Sequence, residues 1–179
     1  KDITERKNAE KVIRENQQKF ERLFSSNPEA AIYTDTKWQI LDINPRFTEL
    51  FGYSLSEVRG KSPFKVIVPT DKLKESKILG EKSKKGCTYH ETIRKRKDGS
   101  LVHVSISAAP ITVDGKPIGY VTLYKDITER KRTEESLRES ERRYRSVVDN
   151  IGIGVAVISP HMEILSLNNQ MKKWFPHID

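Results

Sequence analysis

The sequence predicts an α+β fold in which short helices gather on one face of an antiparallel sheet. Apolar and polar residues alternate from Ser100 to Thr112, and the dipeptides Asp98-Gly99 and Asp114-Gly115 favour tight hairpin turns on either side of that stretch. The hexapeptide Asp-Ile-Thr-Glu-Arg-Lys occurs at residues 2–7 and again at 126–131. A charged stretch without glycine or proline follows each copy, and this composition predicts a long helix at both ends of the sheet domain.

The hexapeptide opens an internal repeat with a shift of 124 residues. At that shift Asn44 falls on Asn168 and Phe51 falls on Phe175. We therefore predict one full module followed by the start of a second, and we expect the sequence to be a piece of a longer protein. The predicted segments are 1–24, the end of a preceding repeat with a linker helix; 25–127, a complete domain; 128–150, a helical linker; and 151–179, the start of a second, truncated domain.

The first half of the complete module predicts a hairpin followed by short helices. Asn44 is a helix cap, Pro45 suits the first helical position and Gly52 ends that helix. The predicted strands are 29–35 and 39–43, and the later helical segments are 54–58, a brief one within 63–69, and one from Thr70 to about 85 with Leu73, Ile78 and Leu79 facing inward.

The second half predicts strands at 87–97, 100–112 and 117–125. Together with the first hairpin they make five strands, so that sheet and short helices form two layers. The space between these layers is suited to a small ligand pocket.

Composition indicates a soluble, rather polar protein, which we expect to be cytoplasmic. Hydrophobic residues make up 35%, the mean hydropathy is −0.66 and the net charge is +8. No apolar run approaches the ~18 residues of a membrane span, and the single cysteine, Cys87, excludes an internal disulfide. The basic residues are interleaved with acids, which favours a mixed-charge surface over nucleic-acid binding.

Several short motifs together resemble the PAS domain, in its PAS/PAC sensor form. They are Asn44-Pro45 before Phe47, Phe51-Gly52-Tyr53-Ser54, Glu57-Val58-Arg59-Gly60-Lys61, Arg96-Lys97-Asp98-Gly99-Ser100, Pro110-Ile111, Gly115, Gly119-Tyr120 and Asp126-Ile127-Thr128-Glu129-Arg130. The resemblance covers residues 17–131 fully and 141–179 as the opening of a second such domain. It implies a five-stranded antiparallel sheet with short helices on one face, flanked by long N- and C-terminal linker helices.

The resemblance further implies a sensory module with no catalytic residues of its own. Such a module senses a small ligand or redox cue, or mediates homodimerisation, and relays the signal through its helical linker. The output domain is most often the histidine kinase of a two-component phosphorelay in a bacterial or archaeal protein. The alternatives are a ligand-free structural dimerisation module, or the sensor part of a DNA-binding transcriptional regulator or cyclic-dinucleotide enzyme.

The identity of any cofactor is left open, but two classes are not expected. Pro63 stands where flavin-binding relatives carry their reactive cysteine, so no covalent flavin is expected. The stretch 71–86 has no histidine to bind haem. Cys87 and His90 supply only two ligands, on opposite faces of a strand, which is a poor metal site.

The pocket residues on the strands follow from alternation, with the register between strands left undetermined, and Ile78 is added from the predicted helix that begins at Thr70. They are Ile32, Thr34, Ile43, Ile78, Ile93 or Arg94, Val104, Ile106 and Tyr124. Arg94 is a candidate anchor for an anion, because arginine pairs bidentately with carboxylates. The alternative, which we favour at this point, is that Arg94 lies on a solvated strand and pairs with Glu91 or Asp98.

The second hexapeptide predicts a joint that transmits a signal from strand to helix. Asp126 and Glu129 form a capping-box-like pair, with Thr128 as a competing cap. On the preceding helix, Ile13, Phe20, Leu23 and Phe24 are the predicted dimer contacts. The linker helix has a weak heptad pattern with apolar ends and a charged middle, which suits either a switch or an ordinary spacer.

Overall fold

The computed structural model describes the backbone of residues 2–176 and the side chains of residues 6–8 and 10–176. The side chains at 2–5 in the first hexapeptide, and residues 177–179 of the predicted second module, therefore lie outside the described part. The chain divides into two compact units, one up to Thr128 and one from Glu129 onward.

The elements of the described chain follow the predicted order. They are α1 (Asp2–Ser25), β1 (Ala30–Thr34), β2 (Ile40–Ile43), α2 (Pro45–Phe51), α3 (Leu55–Val58), α4 (Pro63–Val66), a 3₁₀ turn (Thr70–Lys72), α5 (Leu73–Ser83), β3 (Thr88–Lys95), β4 (Leu101–Val113), β5 (Lys116–Asp126), α6 (Thr128–Asn150), β6 (Ala156–Ile158), β7 (Ile164–Leu167) and α7 (Asn169–Trp174). The prediction differs at Thr70, where the chain makes a 3₁₀ turn before α5 begins at Leu73.

The first unit is built on a five-stranded sheet in the order β2-β1-β5-β4-β3, in which neighbouring strands are antiparallel. Strand β5, which leads into α6, is therefore the middle strand of the sheet. Its pairing with β1 brings Gly119 so close to Thr34 that an added Cβ would lie 2.3 Å from the Thr34 carbonyl oxygen. The predicted α+β fold class, with flanking helices, is confirmed.

The hydrophobic core lies between this sheet and the short helices. Helix α2 contributes Phe47 and Phe51, which are fully buried with ring centroids 4.8 Å apart. The helix begins as predicted, since Asn44 caps it and Pro45 is its first residue, and it ends at Gly52, whose φ of 79° is the left-handed conformation that glycine adopts without strain. The core also contains Ala30, Ile32, Ile40, Val58, Val66, Ile67, Val102, Val104, Ile106 and Tyr124.

The second unit contains most of α6, the hairpin β6–β7 and α7. Large apolar side chains are exposed on it, including Ile164, Leu165 and Trp174. A two-stranded hairpin by itself is marginally stable in water, and among the described residues of this unit only Asn168 is buried.

Candidate functional site

A small cavity is walled by α5, by the inner face of strands β3 to β5, and by residues near β2 and α4. Its volume is about 40 Å³. One water-sized sphere needs roughly 10–15 Å³ by this measure, so the cavity has room for a molecule of about three or four non-hydrogen atoms. The wall is formed by Trp38, Pro63, Phe64, Val68, Ser76, Leu79, Gly80, Ser83, Thr88, His90, Arg94, Ile106, Ala108, Thr122 and Tyr124.

The strands present alternate residues to the cavity, as a pleated sheet requires. On β3 the lining residues are Thr88, His90 and Arg94. The register places His90 opposite Ile106 and Ile106 opposite Tyr124. Side chains from three neighbouring strands therefore converge on one space.

Helix α5 approaches the sheet through small residues. Its buried residues are Ser76, Gly80 and Ser83, and a Cβ on Gly80 would lie 3.2 Å from the ring of Phe64. The predicted inward position of Ile78 is wrong, because its side chain is 57% exposed. At ~100° per residue, Ile78 is turned away from the face that carries the three small residues.

Arg94 is buried at the wall of this cavity, with 3% of its side chain exposed. The favoured interpretation, a solvated Arg94 paired with Glu91 or Asp98, is therefore wrong. Strand alternation turns Arg94 inward, under α5, where its ion-pair partner is Glu75 at 3.6 Å between Nη1 and Oε1.

Within the described residues, the hydrogen bonds of Arg94 leave from Nη1. This nitrogen donates to the backbone oxygen of Ile93 at 2.8 Å and to Oγ1 of Thr92 at 3.4 Å. Burial lowers the pKa of Arg94, while Tyr124 and Glu75 act in the opposite direction. A guanidinium has five N–H donors, so these two acceptors use only part of the donor capacity of Arg94.

Glu75 lies between two basic side chains. Its Oε1 is 3.6 Å from Arg94 Nη1 and 3.7 Å from His90 Nε2, both beyond ordinary hydrogen-bond distance. Burial opposes ionisation of this carboxyl, but a hydrogen bond from Thr92 and the charges of Arg94, His90 and Lys72 outweigh it and lower the pKa of Glu75. The charged carboxylate of Glu75 therefore offsets the positive charge of Arg94, but at this distance it does not occupy the hydrogen-bond donors of the guanidinium.

Tyr124 adds a phenolic hydroxyl to the cavity wall. Its ring makes edge contacts with Phe51 and Phe47, with centroids 5.3 and 6.3 Å away. Burial raises the pKa of Tyr124 to about 12, although the charge of Arg94 opposes the shift. The hydroxyl is therefore neutral at physiological pH and is able to donate a hydrogen bond.

The structure brings only some of the predicted pocket residues together. Those at the cavity wall are Arg94, Ile106 and Tyr124. Ile32, Thr34 and Val104 are buried elsewhere in the unit, and Ile43 is half-buried against the core. Ile93, the alternative to Arg94, is half-buried at the intervening position of β3, whose side chain points to the other face.

Trp38, which lies between the predicted strands 29–35 and 39–43, is a cavity residue that was not among the predicted pocket residues. Its ring stacks on Tyr120 at 4.3 Å between centroids, and it also contacts Phe64 at 5.6 Å. Two signals were available in the sequence: a large apolar residue in a turn, and the small residues of α5 at helical spacing. Small residues on one helix face indicate close approach to a bulky neighbour.

Asp126 joins β5 to α6 and accepts a hydrogen bond from the start of the helix. Its Oδ1 accepts from the backbone N–H of Thr128 at 2.8 Å. Because α6 begins at Thr128, that N–H has no partner inside the helix, so Asp126 accepts from the helix start as predicted; the part of Glu129 in the pair stays a prediction. The competing cap is not formed, since Thr128 Oγ1 is buried without a hydrogen-bond partner in the described part of the chain.

The same aspartate is tied to the rest of the domain through Arg96. Asp126 Oδ2 lies 3.3 Å from Arg96 Nη2, and Arg96 Nη1 donates to the backbone oxygen of Leu50 at 2.5 Å. The N–H of Ile127 donates to the oxygen of His103 at 2.9 Å. The start of α6 is thus connected to the end of α2 and to β4.

The predicted dimer contacts lie on an exposed face of α1. Ile13, Phe20 and Leu23 are exposed, and Phe24 is half-buried with its ring stacked 5.9 Å from that of Phe20. Their role in a dimer stays a prediction.

Asn44 ties the end of α1 to the first hairpin and to α2. Its Oδ1 accepts from the backbone N–H groups of Ala31 at 2.8 Å and Phe47 at 3.0 Å. Its Nδ2 donates to the oxygen of Glu29 at 2.8 Å and, less closely, to that of Phe24 at 3.3 Å. One amide therefore holds three elements together.

Asn168 makes the same bonds in the second unit. Its Oδ1 accepts from Val155 N at 2.9 Å and Met171 N at 3.0 Å, and its Nδ2 donates to Ile153 O at 2.9 Å and Val148 O at 2.7 Å. Each partner stands 124 positions after its counterpart around Asn44. The sequence repeat is thus accompanied by a repeat in local geometry.

Two features are absent from the described part of the chain. No helix there is both long and apolar enough to cross a membrane. No three histidine, cysteine, aspartate or glutamate side chains there are grouped in a way that could hold a metal ion.

A family model described as "PAS fold" matches residues 24–132 of the chain. Among curated proteins, the sensor protein TdiS of Thauera aromatica is 29% identical over 126 residues, which cover 68% of this chain and 22% of that protein. Sporulation kinase E of Bacillus subtilis is 24% identical over 160 residues, covering 87% of this chain and 20% of that protein. The chain thus spans about a fifth of the length of these relatives.

The fold is also found among solved structures. The PAS domain of an HTR-like protein from Haloarcula marismortui superposes with a TM-score of 0.56 at 24% identity. The match covers 68% of this chain and 99% of that one.

Proposed function

The chain belongs to the PAS-fold family, and we propose that its first unit is a noncatalytic sensor module whose cavity takes up a small molecule. The family and the sensor-kinase relatives support a role in signal transduction. In this proposal the occupancy of the cavity is passed through α6 to an output domain, the histidine kinase of a two-component system.

The observation that carries this proposal is that one strand bears both the cavity wall and the joint. Thr122 and Tyr124 of β5 line the cavity, and Asp126 follows two residues later on the same strand. A strand is stiff along its length, so a displacement at Tyr124 reaches Asp126. The carboxylate of Asp126 then transfers it to the first N–H of α6.

The relay needs a helix with two packings of similar free energy. The heptad positions within α6 mix apolar or aromatic residues with charged ones, so no single packing is strongly preferred; they are Arg130, Glu134, Leu137, Glu141, Tyr144 and Val148. In this proposal residues 151–179 open a second PAS domain, and the repeated bonds of Asn168 support that assignment. In this proposal the chain forms a homodimer through the exposed apolar face of α1.

A ligand-free dimerisation module is the second candidate. It is favoured by the small cavity, about 40 Å³, and by the exposed apolar face of α1. Under that function, filling the cavity would have no consequence at α6.

The substitution Ala108→Leu distinguishes the two candidates. It adds three carbon atoms at the cavity wall, which is close to the capacity of the cavity, and so imitates a bound ligand. The matched control is Ala109→Leu, because Ala109 is half-buried on the same strand and its side chain points to the other face.

In hydrogen-exchange experiments on the chain, the protection of the amides at residues 127–131 should change in Ala108→Leu. It should stay as in the parent in Ala109→Leu. In the full-length protein, the same substitution should shift autophosphorylation in one direction. If Ala108→Leu folds and exchanges like the parent at these amides, the sensor proposal is wrong and the dimerisation module is supported.

A further inference from the structure

We propose that the cavity binds a small monocarboxylate the size of acetate, with its carboxylate held by Arg94. This inference rests on the proposed sensor function and specifies the chemical class of its ligand. It follows from the donors at one end of the cavity, the apolar wall at the other and the volume between them.

The guanidinium of Arg94 is buried and only partly hydrogen-bonded. Arg94 is 3% exposed, yet its hydrogen bonds within the described residues leave from Nη1 alone, and the nearest carboxylate oxygen is 3.6 Å away. A buried cation is normally paired and hydrogen-bonded, because its desolvation is otherwise uncompensated. The planar fork of arginine matches the two oxygens of a carboxylate, which would add acceptors beside the ion pair with Glu75.

Further hydrogen-bond donors surround the same space. The neutral hydroxyl of Tyr124 lines the cavity, and so does Ser76, which is 3% exposed and whose Oγ has no hydrogen-bond partner among the described residues. A buried hydroxyl without a partner is costly, and a ligand oxygen would relieve that cost. Both groups can donate to an anion.

The size and lining of the cavity also fit a short carboxylic acid. The volume of about 40 Å³ admits three or four non-hydrogen atoms, and acetate has four. Val68, Ile106 and Ala108 give the cavity an apolar wall that suits a methyl group. A purely inorganic oxyanion would leave this wall unused, whereas a short carboxylic acid satisfies both ends.

The test is a titration of the whole chain with acetate. Binding is monitored through the NMR signals of the backbone amides in ¹⁵N-labelled protein. Acetamide is the matched neutral probe, because it has the same shape without the charge. A ligand of four non-hydrogen atoms binds no more tightly than about 40 µM, so the titration should extend to tens of millimolar. Sodium chloride at equal concentration controls for ionic strength.

Three variants locate the binding. Arg94→Lys retains the charge but removes the fork, and should weaken acetate binding by roughly 10-fold or more while leaving acetamide little changed. Ala108→Leu fills the space and should abolish the saturable shifts. Arg46→Lys makes the same exchange at an exposed arginine of α2, which pairs with Glu49, and should bind acetate like the parent.

We expect saturable shifts centred on Ser76 and Arg94 with acetate, and binding at least ten times weaker with acetamide. Equal or tighter binding of acetamide in the cavity, or acetate binding that survives both Arg94→Lys and Ala108→Leu, overturns the assignment of a carboxylate. No saturable acetate shift up to tens of millimolar overturns it as well. The sensor proposal is judged separately, by the hydrogen exchange of Ala108→Leu at the start of α6, which needs no ligand.

Discussion

Replacing Asn44 by alanine should destabilise the first unit more than any change at an exposed position. Asn44 is 1% exposed, and its amide joins the end of α1, the start of β1 and the first turn of α2. Alanine retains the backbone but removes every one of these bonds. The amide N–H of Ala31, on a fully buried residue, would lose the acceptor that Asn44 Oδ1 provides.

The expected magnitude follows from the short bonds. Three of them measure 2.8, 3.0 and 2.8 Å, whereas the other two, at 3.3 and 3.4 Å, contribute little. At roughly 1 kcal/mol net for each short bond, the loss is about 3 kcal/mol. With a urea dependence of about 1.5 kcal/mol per M for a small domain, the unfolding midpoint should fall by about 2 M.

The assay is urea unfolding followed by tryptophan fluorescence. The chain has two tryptophans, Trp38 in the first unit and Trp174 in the second, so a Trp174→Phe background reports on the first unit alone. Asn168→Ala is the matched control, because it removes the equivalent bonds from the second unit. It should leave the Trp38 transition in place.

A fall of less than about 0.5 M for Asn44→Ala would refute the reasoning. It would mean that the carbonyl and amide groups around Asn44 find water or other partners at little cost. An equal fall for Asn168→Ala would also contradict it, since the effect would then not be local to the first unit.

Three other outcomes are expected. Hydrogen exchange should be slow in β4 and β5, from 102 to 123, and fast beyond Gly152; equal protection would show that the second unit is stable as it stands. The pKa of Glu57 is lowered to about 2, first by a hydrogen bond from Lys97, so its contribution to stability is present above about pH 4.5 and is lost as the pH falls towards 2. The urea unfolding midpoint of Glu57→Gln should therefore change less with pH over that range than the midpoint of the parent. An equal pH dependence in the two proteins would contradict this. In the full-length protein, one residue inserted between Arg132 and Ser136 should disrupt output, because it turns the helix by ~100°, whereas seven should restore it; if both insertions behave alike, α6 is only a spacer.

The features that the sequence predicted correctly depend on neighbours along the chain. Asn44 and Gly52 mark the two ends of α2 because a cap and a left-handed residue act within one helical turn. The alternation along β4 and the glycine-containing turns indicate an antiparallel sheet, and the 124-residue shift predicts Asn168 as the counterpart of Asn44.

The candidate site was decided by tertiary structure. Alternation shows that Arg94 and Ile93 face opposite sides of β3 but not which side is buried, and a slip of one residue would exchange them. The partner of Arg94 is Glu75 on α5, a different element, and no local pattern relates the two. The ion pair of Asp126 with Arg96 likewise depends on the strand order, because β3 and β5 lie on either side of β4. Contacts of this kind depend on how the strands are registered and where α5 covers them, because the free energy that selects them comes from packing between distant segments rather than from local propensity.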